Sequence, residues 1–470
     1  MLEGIKVLSF THYLQGPSAA QALADLGADV VKIEACKGAY ERGWSGCNTY
    51  KNGVSVFYLM ANRNQRDLAI DLKSEEGRET IYTLIRDKGY DVIIENFRPG
   101  VMDKLGLGYE KLKEINPRVV YCSCTGYGSA GPKAKKPGQD LLLQGMSGLA
   151  ALTGPSDHPP MPAGTALVDQ HGAILAALGI VSAVYDRDRT GIGHKVDASL
   201  LGSALDLQIE PLNYFMNGGE LTPRTDTGLS TRFHQSPYGV YETADSCITL
   251  SLNPFDKLEK AFTPGSLAGF TARDQMENRI EFDKVVCAEM KKRTTAEWTE
   301  IFESLGMWYE KVNEYEDVVN DEQVIFNETF ITMNHPVAGE VKVLGHANRY
   351  DGKPLPLRRL PPDLGENTLE LLRECGYSEE KIADMLKSGK AVAKAEQFRT
   401  QLKRYILIEE GEKNEKIHSN HSLRCHGRLP ARRLRLQQHR DHCTHSPGQH
   451  GRKHRYRSFC RCHHAQARHG

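Results

Sequence analysis

Residues 4–34 read GIKVLSFTHYLQGPSAAQALADLGADVVKIE. The run over 5–10 is short, apolar and partly β-branched, which predicts a strand. Helical spacing follows over 17–26, with Pro17 in the first turn, where its missing N–H costs nothing. A second apolar run over 29–33 ends at Glu34, so the stretch predicts strand, helix, strand. The alternation recurs downstream. An amphipathic helix over 73–88, opened by Ser74 and Glu75, precedes a buried-type strand over 91–95; a helix over 109–115 precedes a strand over 118–123. Repeated units of this kind predict an α/β fold: a doubly wound, Rossmann-like parallel sheet with helices on both faces. Ligands of such sheets sit at the carboxyl ends of strands, near helix N-termini. The first turn, THYLQGPSAA, lacks GxGxxG, so a dinucleotide site loses its main support even though Glu34 stands where a ribose-binding acid would.

The pattern divides the rest of the chain. Residues 1–205 are expected to be the first part of a large α/β domain. Over 206–335 the character changes: PYGVYETADSCITLSL reads as a hairpin, and helices follow near 255, over 279–292 and over 295–305. This segment is expected to be a linker and a smaller α+β domain. Residues 336–395 return as strand in GEVKVLGHANRY, then a Pro-rich passage, then a last helical segment near 367–386. Residues 396–470 are expected to form a disordered basic tail. From His421 to Gly470 there are eleven Arg, one Lys, ten His and a single acid, Asp441. From Arg424 onward Glu, Ile, Val, Met and Trp are missing, a composition resembling translation of a shifted reading frame.

Net charge is formally zero, so the rest of the chain is acidic by about the amount that the tail is basic. No nucleic-acid partner is expected for such a body. Eleven cysteines include no CxxC pair, and neither Cys122-Ser-Cys124 nor Cys460-Arg-Cys462 has zinc-knuckle spacing. A reducing cytoplasm is expected, with no metal site. MLEGIKVLSF carries an acid and reads into a strand, unlike a leader peptide. The longest apolar run, over 172–184, is expected to be too short to cross a bilayer.

One carboxylate interrupts an otherwise apolar or neutral stretch over 161–179, MPAGTALVDQHGAILAALG. Asp169 reads as the N-cap of the apolar helix that follows, running to about 185. His171 lies two residues on, about 200° around a helix, and reads as a packed or surface histidine.

Residues 95–132, ENFRPGVMDKLGLGYEKLKEINPRVVYCSCTGYGSAGP, closely resemble the signature of the class III CoA-transferase family (CaiB/BaiF type). That family includes formyl-CoA transferase, carnitine and bile-acid CoA transferases and α-methylacyl-CoA racemase. LADLGADVVKIE and NRNQRDLAIDLKSEEGRE precede the signature. YDRDRTGIGHKVDASLL, PYGVYETAD, RTTAEWTEIFESLGM, HPVAGEVKVLG and LGENTLELLRECGYSEEKI follow it in the family's order, so the resemblance spans roughly 2–392. It implies a large domain built from both chain ends, a small domain, and an interlocked homodimer. It also implies transfer of CoA from an acyl-CoA thioester to a carboxylic acid, with no permanently bound cofactor, no metal and no ATP. Asp169 matches the nucleophile. His12, Gln15, Ile70, Lys73, Asn96, Phe97, Arg98 and Lys104 match coenzyme A contact positions. Two positions depart from formyl-CoA transferase: Ala35 replaces a basic residue, with Lys37 nearby, and Gln15 falls one place late. Racemases of the family carry a His in the loop where this chain has PGQD, and Gln139 cannot shuttle a proton near neutral pH. Transfer is therefore expected rather than racemisation.

Overall fold

The structure, a computed structural model, describes residues 1–394; the tail expected over 396–470 lies outside them. The strands run in chain order as β1 (Lys6–Phe10), β2 (Asp29–Glu34), a small hairpin of β3 (Tyr50–Lys51) and β4 (Val54–Ser55), then β5 (Gln65–Ile70), β6 (Val92–Glu95), β7 (Val120–Thr125) and β8 (Lys195–Ser199). Later come β9 (Tyr238–Glu242), β10 (Cys247–Ser251), β11 (Tyr309–Lys311), β12 (Phe330–His335), β13 (Gly339–Leu344) and β14 (Ala391–Val392). The main sheet has the order β14-β5-β2-β1-β6-β7-β8 and is parallel throughout except for β14. The expected mixed α/β fold around a large, parallel-dominated sheet is therefore present.

Side chains alternate across a strand, so each face of the sheet collects its own core. Leu8, Phe10, Val31, Ile33, Leu68 and Ile93 pack on one face beneath the helix Glu75–Asp87 and the late helices Thr368–Glu374 and Glu379–Lys387. Those late helices were expected as one segment. They separate at Gly376, whose φ of 85° a helix cannot continue through. On the other face Val7, Val30, Val92, Ile94 and Val120 meet the helices Gln15–Asp25 and Leu167–Thr190. That contact is made of small residues: Ala19, Ala20 and Ala24 against Gly172, Ala173, Ala176 and Ala177.

The helix Leu167–Thr190 corrects a sequence expectation. At 24 residues it outruns the apolar stretch over 172–184 and is long and apolar enough, by length and composition, to cross a membrane. It continues past 185 because Arg187 is buried and pairs with Asp91 at 2.8 Å, and it stops at left-handed Gly191. One face belongs to the core; the other exposes Ile174, Leu178 and Tyr185. A three-stranded antiparallel sheet, β11-β10-β9, backs a separate core around Trp298, Phe302 and Phe282. The helix Thr295–Leu305 there starts on a capping box, with Thr294 and Glu297 bonded reciprocally.

No strand was expected at QRDLAI, yet β5 is buried at every residue. Its polar half is paired rather than solvated. Arg66 donates to Asp29, Glu370 and Glu374, and Asp67 accepts from the Gly365 amide at 2.6 Å. A second buried pair fixes the turn before β5: Arg63 and Asn64 both donate to Asp25, while Arg63 also reaches the Leu344 carbonyl at 2.8 Å. Removing one partner of a buried pair leaves an uncompensated charge. Asp25→Ala is therefore expected to lower stability by about 3–5 kcal/mol, read as a shifted urea midpoint; a change under about 1 kcal/mol would show that Arg63 finds water instead.

Candidate active site

From β1 the chain winds outward through β2 and β5 on one side and through β6, β7 and β8 on the other. The loops leaving the carboxyl ends of adjacent β1 and β6 diverge there, and the crevice between them is the place where open α/β sheets bind ligands. Asn96 ties the two loops together. Its Oδ1 accepts the His12 amide at 2.8 Å and its Nδ2 donates to the His12 carbonyl at 2.7 Å. A cleft of about 670 Å³ opens beside it. Gln15, Phe97, Arg98, Gln139, Asp140 and Asp169 all line it, together with Asn96.

The remaining sequence-expected positions lie outside the cleft lining. His12 sits edge-on to Phe97 at 5.1 Å, with Nδ1 buried and unbonded 3.9 Å from Glu41. Burial, then Lys32, holds its imidazole below the ordinary value. Ile70 is fully buried in the core, so its side chain does not face the cleft. Lys73 and Lys104 are exposed. His171, half-buried, pairs with Asp206 at 2.7 Å. Glu34 is engaged by Arg42 at 2.9 Å and by the Ala39 amide at 2.7 Å. Burial opposes its charge, but Lys32 and Arg42 prevail and hold the carboxyl down at about 2.

Asp169 is not the N-cap expected from its sequence. Ala166 holds that position without a side-chain bond, and Asp169 is the third residue of the helix Leu167–Thr190. The cap comes from elsewhere. Asp140 Oδ2 accepts the amides of Val168 and Asp169 at 2.7 and 3.0 Å, while its Oδ1 accepts Gln144 Nε2 at 2.5 Å. Among the described residues none bonds the Asp169 carboxylate, which is left facing the cleft. Burial, then the charge of Asp140, pushes that carboxyl up to about 7. A helix N-terminus favours an anion by roughly 0.3–1 kcal/mol, and here it is outweighed.

Close backbone approaches make this geometry possible. A Cβ on Gly138 would stand 2.5 Å from Gly126 Cα, so only glycines let the loop over 137–140 cross the end of β7 and bring Asp140 to the helix. One turn beyond Asp169, a Cβ on Gly172 would stand 2.7 Å from Gln15 Nε2. That amide is buried with no hydrogen-bond partner among the described residues. Glu95 was not singled out in the sequence. Burial pushes its carboxyl up to about 7, and it accepts from Ser123 and from the Phe97 amide at 2.9 Å, which fixes the start of the loop carrying Phe97 and Arg98. Asp140 was missed as well. Its signal was an acid at the first position of a helix, immediately after Gln139.

Asp169 has an ordinary value of 3.8 and a folded value near 7, so the fold favours its protonated form. That contribution is present below pH 4 and is lost as pH rises through 7, where the ionised group becomes a net cost. Asp169→Asn is neutral throughout. Relative to the unchanged chain it is expected to gain several degrees in Tm between pH 5 and pH 8; a pH-independent difference would show that Asp169 titrates normally.

Comparison with known proteins identifies the family. The family model for CoA-transferase family III matches residues 2–368. Succinyl-CoA:glutarate CoA-transferase of Mus musculus is 33% identical over 396 residues, spanning 83% of this chain and 89% of that protein. Formyl-CoA:oxalate CoA-transferase of Streptomyces coelicolor is 29% identical over 412 residues, spanning 83% of this chain and 98% of that one. A crystal structure of a CaiB/BaiF family protein from Brucella suis superposes with a TM-score of 0.68 at 30% identity, covering 80% of this chain and 99% of the other. With its parallel sheet, its crevice and these matches across most of its length, the chain belongs to CoA-transferase family III, and CoA transfer is its class of reaction.

Proposed function

We propose that this chain moves CoA from an acyl-CoA thioester to a short dicarboxylic acid, with Asp169 as the nucleophile. The observation that carries the reading is the Asp169 carboxylate: unbonded, half-buried, in a cleft beside a second acid. Its oxygen attacks the thioester carbonyl, the C–S bond breaks, and CoA leaves as thiolate from a mixed anhydride. The thiolate attacks the aspartyl carbonyl and displaces the donor acid, giving an aspartyl-CoA thioester. The acceptor carboxylate then reverses the sequence. One thioester is exchanged for another, so no ATP enters.

A carboxyl near 7 is substantially ionised at neutral pH and more basic than an ordinary aspartate, hence a better nucleophile. The unpartnered Gln15 amide suits the oxyanion that forms at each attack. Phe97 and Arg98 at the cleft rim suit the pantetheine arm and the phosphates. Lys73 and Lys104 follow the carboxyl ends of β5 and β6, so they stand on the same edge of the sheet, where the outer phosphates would extend. The acceptor class rests on the relatives' names, since glutarate and oxalate each carry two carboxylates.

Incubation with succinyl-CoA followed by hydroxylamine trapping and peptide mass analysis is expected to place the adduct on Asp169, and Asp169→Ser to abolish turnover with the fold intact. Full transfer by Asp169→Ser would overturn the reading. Proton exchange at C2 of a 2-methylacyl-CoA without an adduct would favour racemisation instead, against the absence of a titrating group at Gln139.

Large apolar side chains stand exposed at Ile174, Leu178 and Tyr185 on the helix Leu167–Thr190 and at Ile209, Phe215 and Met216 on the helix Ile209–Met216, and exposed apolar faces mark interaction surfaces. An interlocked homodimer is the assembly we propose to cover them. Sedimentation at twice the 52.5 kDa chain mass is the expected result, and a monomer at micromolar concentration would contradict it.

A further inference from the structure

A second cleft, of about 600 Å³, lies between the helix Ile209–Met216, the loop over 219–233 and the start of the helix Arg279–Met290. It shares no lining residue with the Asp169 cleft. Arg279 is 4% exposed and lines it. Its Nη2 donates to the Thr231 carbonyl at 2.5 Å and its Nη1 reaches Thr222 Oγ1 at 3.4 Å, while its Nε is buried with no partner among the described residues. Burial works against its charge, and the carboxylate that acts in its favour, Asp283, is already committed: Asp283 Oδ1 accepts Ser236 and Tyr241 hydroxyls, each at 2.6 Å. Arg232 lines the same cleft and likewise donates to carbonyls, of Thr222 at 2.5 Å and Leu221 at 3.4 Å.

Stitching a loop to a helix needs neutral donors only. Two guanidinium groups kept in one concavity, neither bonded to a carboxylate among the described residues, with a buried N–H left over, leave a positive site short of one anion. The one acid of the lining, Glu220, is exposed. Phe233 and Met276 supply apolar wall for a short carbon chain, and Tyr214 and Asn217 supply further polar groups.

We propose that this cleft holds the non-reacting carboxylate of the acceptor acid, with Arg279 and Arg232 as the residues that select a dicarboxylic over a monocarboxylic acceptor. The inference rests on the transferase reading. Because the two clefts are separate within one chain, it requires Asp169 of one copy to face Arg279 of another.

The test uses the full chain with straight-chain dicarboxylic and monocarboxylic acids of two to five carbons. With acetyl-CoA as donor, whose acyl group carries no second carboxylate, Arg279→Gln and Arg232→Gln are expected to leave trapping of the acyl group on Asp169 unchanged in the absence of acceptor, which also shows that the variants fold. The KM for dicarboxylic acceptors is expected to rise at least tenfold in each, with that for monocarboxylic acceptors unmoved, and Arg279→Lys is expected to restore part of the preference. Equal changes for both acid classes, or none, overturn the proposal. Loss of Asp169 acylation with the acceptor preference intact overturns it too, because the cleft would then serve a CoA phosphate. If the unchanged chain gives no adduct at Asp169, the transferase reading falls first and takes this one with it.

Discussion

Two hydrogen bonds to one oxygen organise the site: Asp140 Oδ2 accepts the amides of Val168 and Asp169. Every α-helix begins with amides that need acceptors. A cap supplied by the residue next to the helix would be the ordinary solution, and a carboxylate used that way would be hydrogen-bonded and weakly basic. Here the cap is delivered by a residue 29 positions earlier. The helix start is satisfied, and the acid inside its first turn is left without a bond. The same arrangement brings a fixed negative charge beside that acid, which helps to hold its carboxyl near 7.

That cap depends on backbones approaching more closely than side chains allow. Gly126 and Gly138 cross at a separation no Cβ could share, and the alanine-rich contact between the helices Gln15–Asp25 and Leu167–Thr190 brings Gln15 against Gly172. The sheet topology supplies the frame. Strand order reverses at β1 and β6, and the Asn96 side chain holds the two diverging loops in register through reciprocal bonds to His12. Small residues and one bridging amide thus set where the carboxylate can stand.

Much of this was legible in the sequence, and the failures share a cause. β1, β2, β6 and β7 are apolar runs whose burial is written in their composition. β5 was not legible, because Arg66 and Asp67 are buried only by virtue of partners from 29 and from the segment over 365–374, far away in sequence. The signature over 95–132 brought Asn96, Phe97 and Arg98 to the cleft, whereas Ile70, matched by the same resemblance, turns its side chain into the core. Asp169 drew attention as the one charge in an apolar stretch, but its capping role was misjudged because the real cap is a tertiary contact. Arg279 carries no local pattern, and the acid that opens a helix at Asp140 does not tell which distant amides it caps. Each becomes conspicuous only when its partners, or the lack of them, are seen in space.

The proposed chemistry gives the acid pair a further consequence. When Asp169 is acylated, as anhydride or as thioester, it loses its charge, while Asp140 keeps its own because two amides still need it. Repulsion between the two acids is therefore present in the free enzyme, absent in both covalent states, and restored at release of product. Burial acts in the same direction, since a neutral ester-like group costs less to hold in the cleft than a carboxylate. Both effects raise the free enzyme relative to the intermediates, so energy invested in folding around Asp140 returns as a lower barrier to acylation. The opposing requirement is that deacylation remain fast, and it must be met at the oxyanion rather than at the carboxylate. A single uncharged donor such as the Gln15 amide serves both attacks alike, favouring the tetrahedral state without deepening either covalent well.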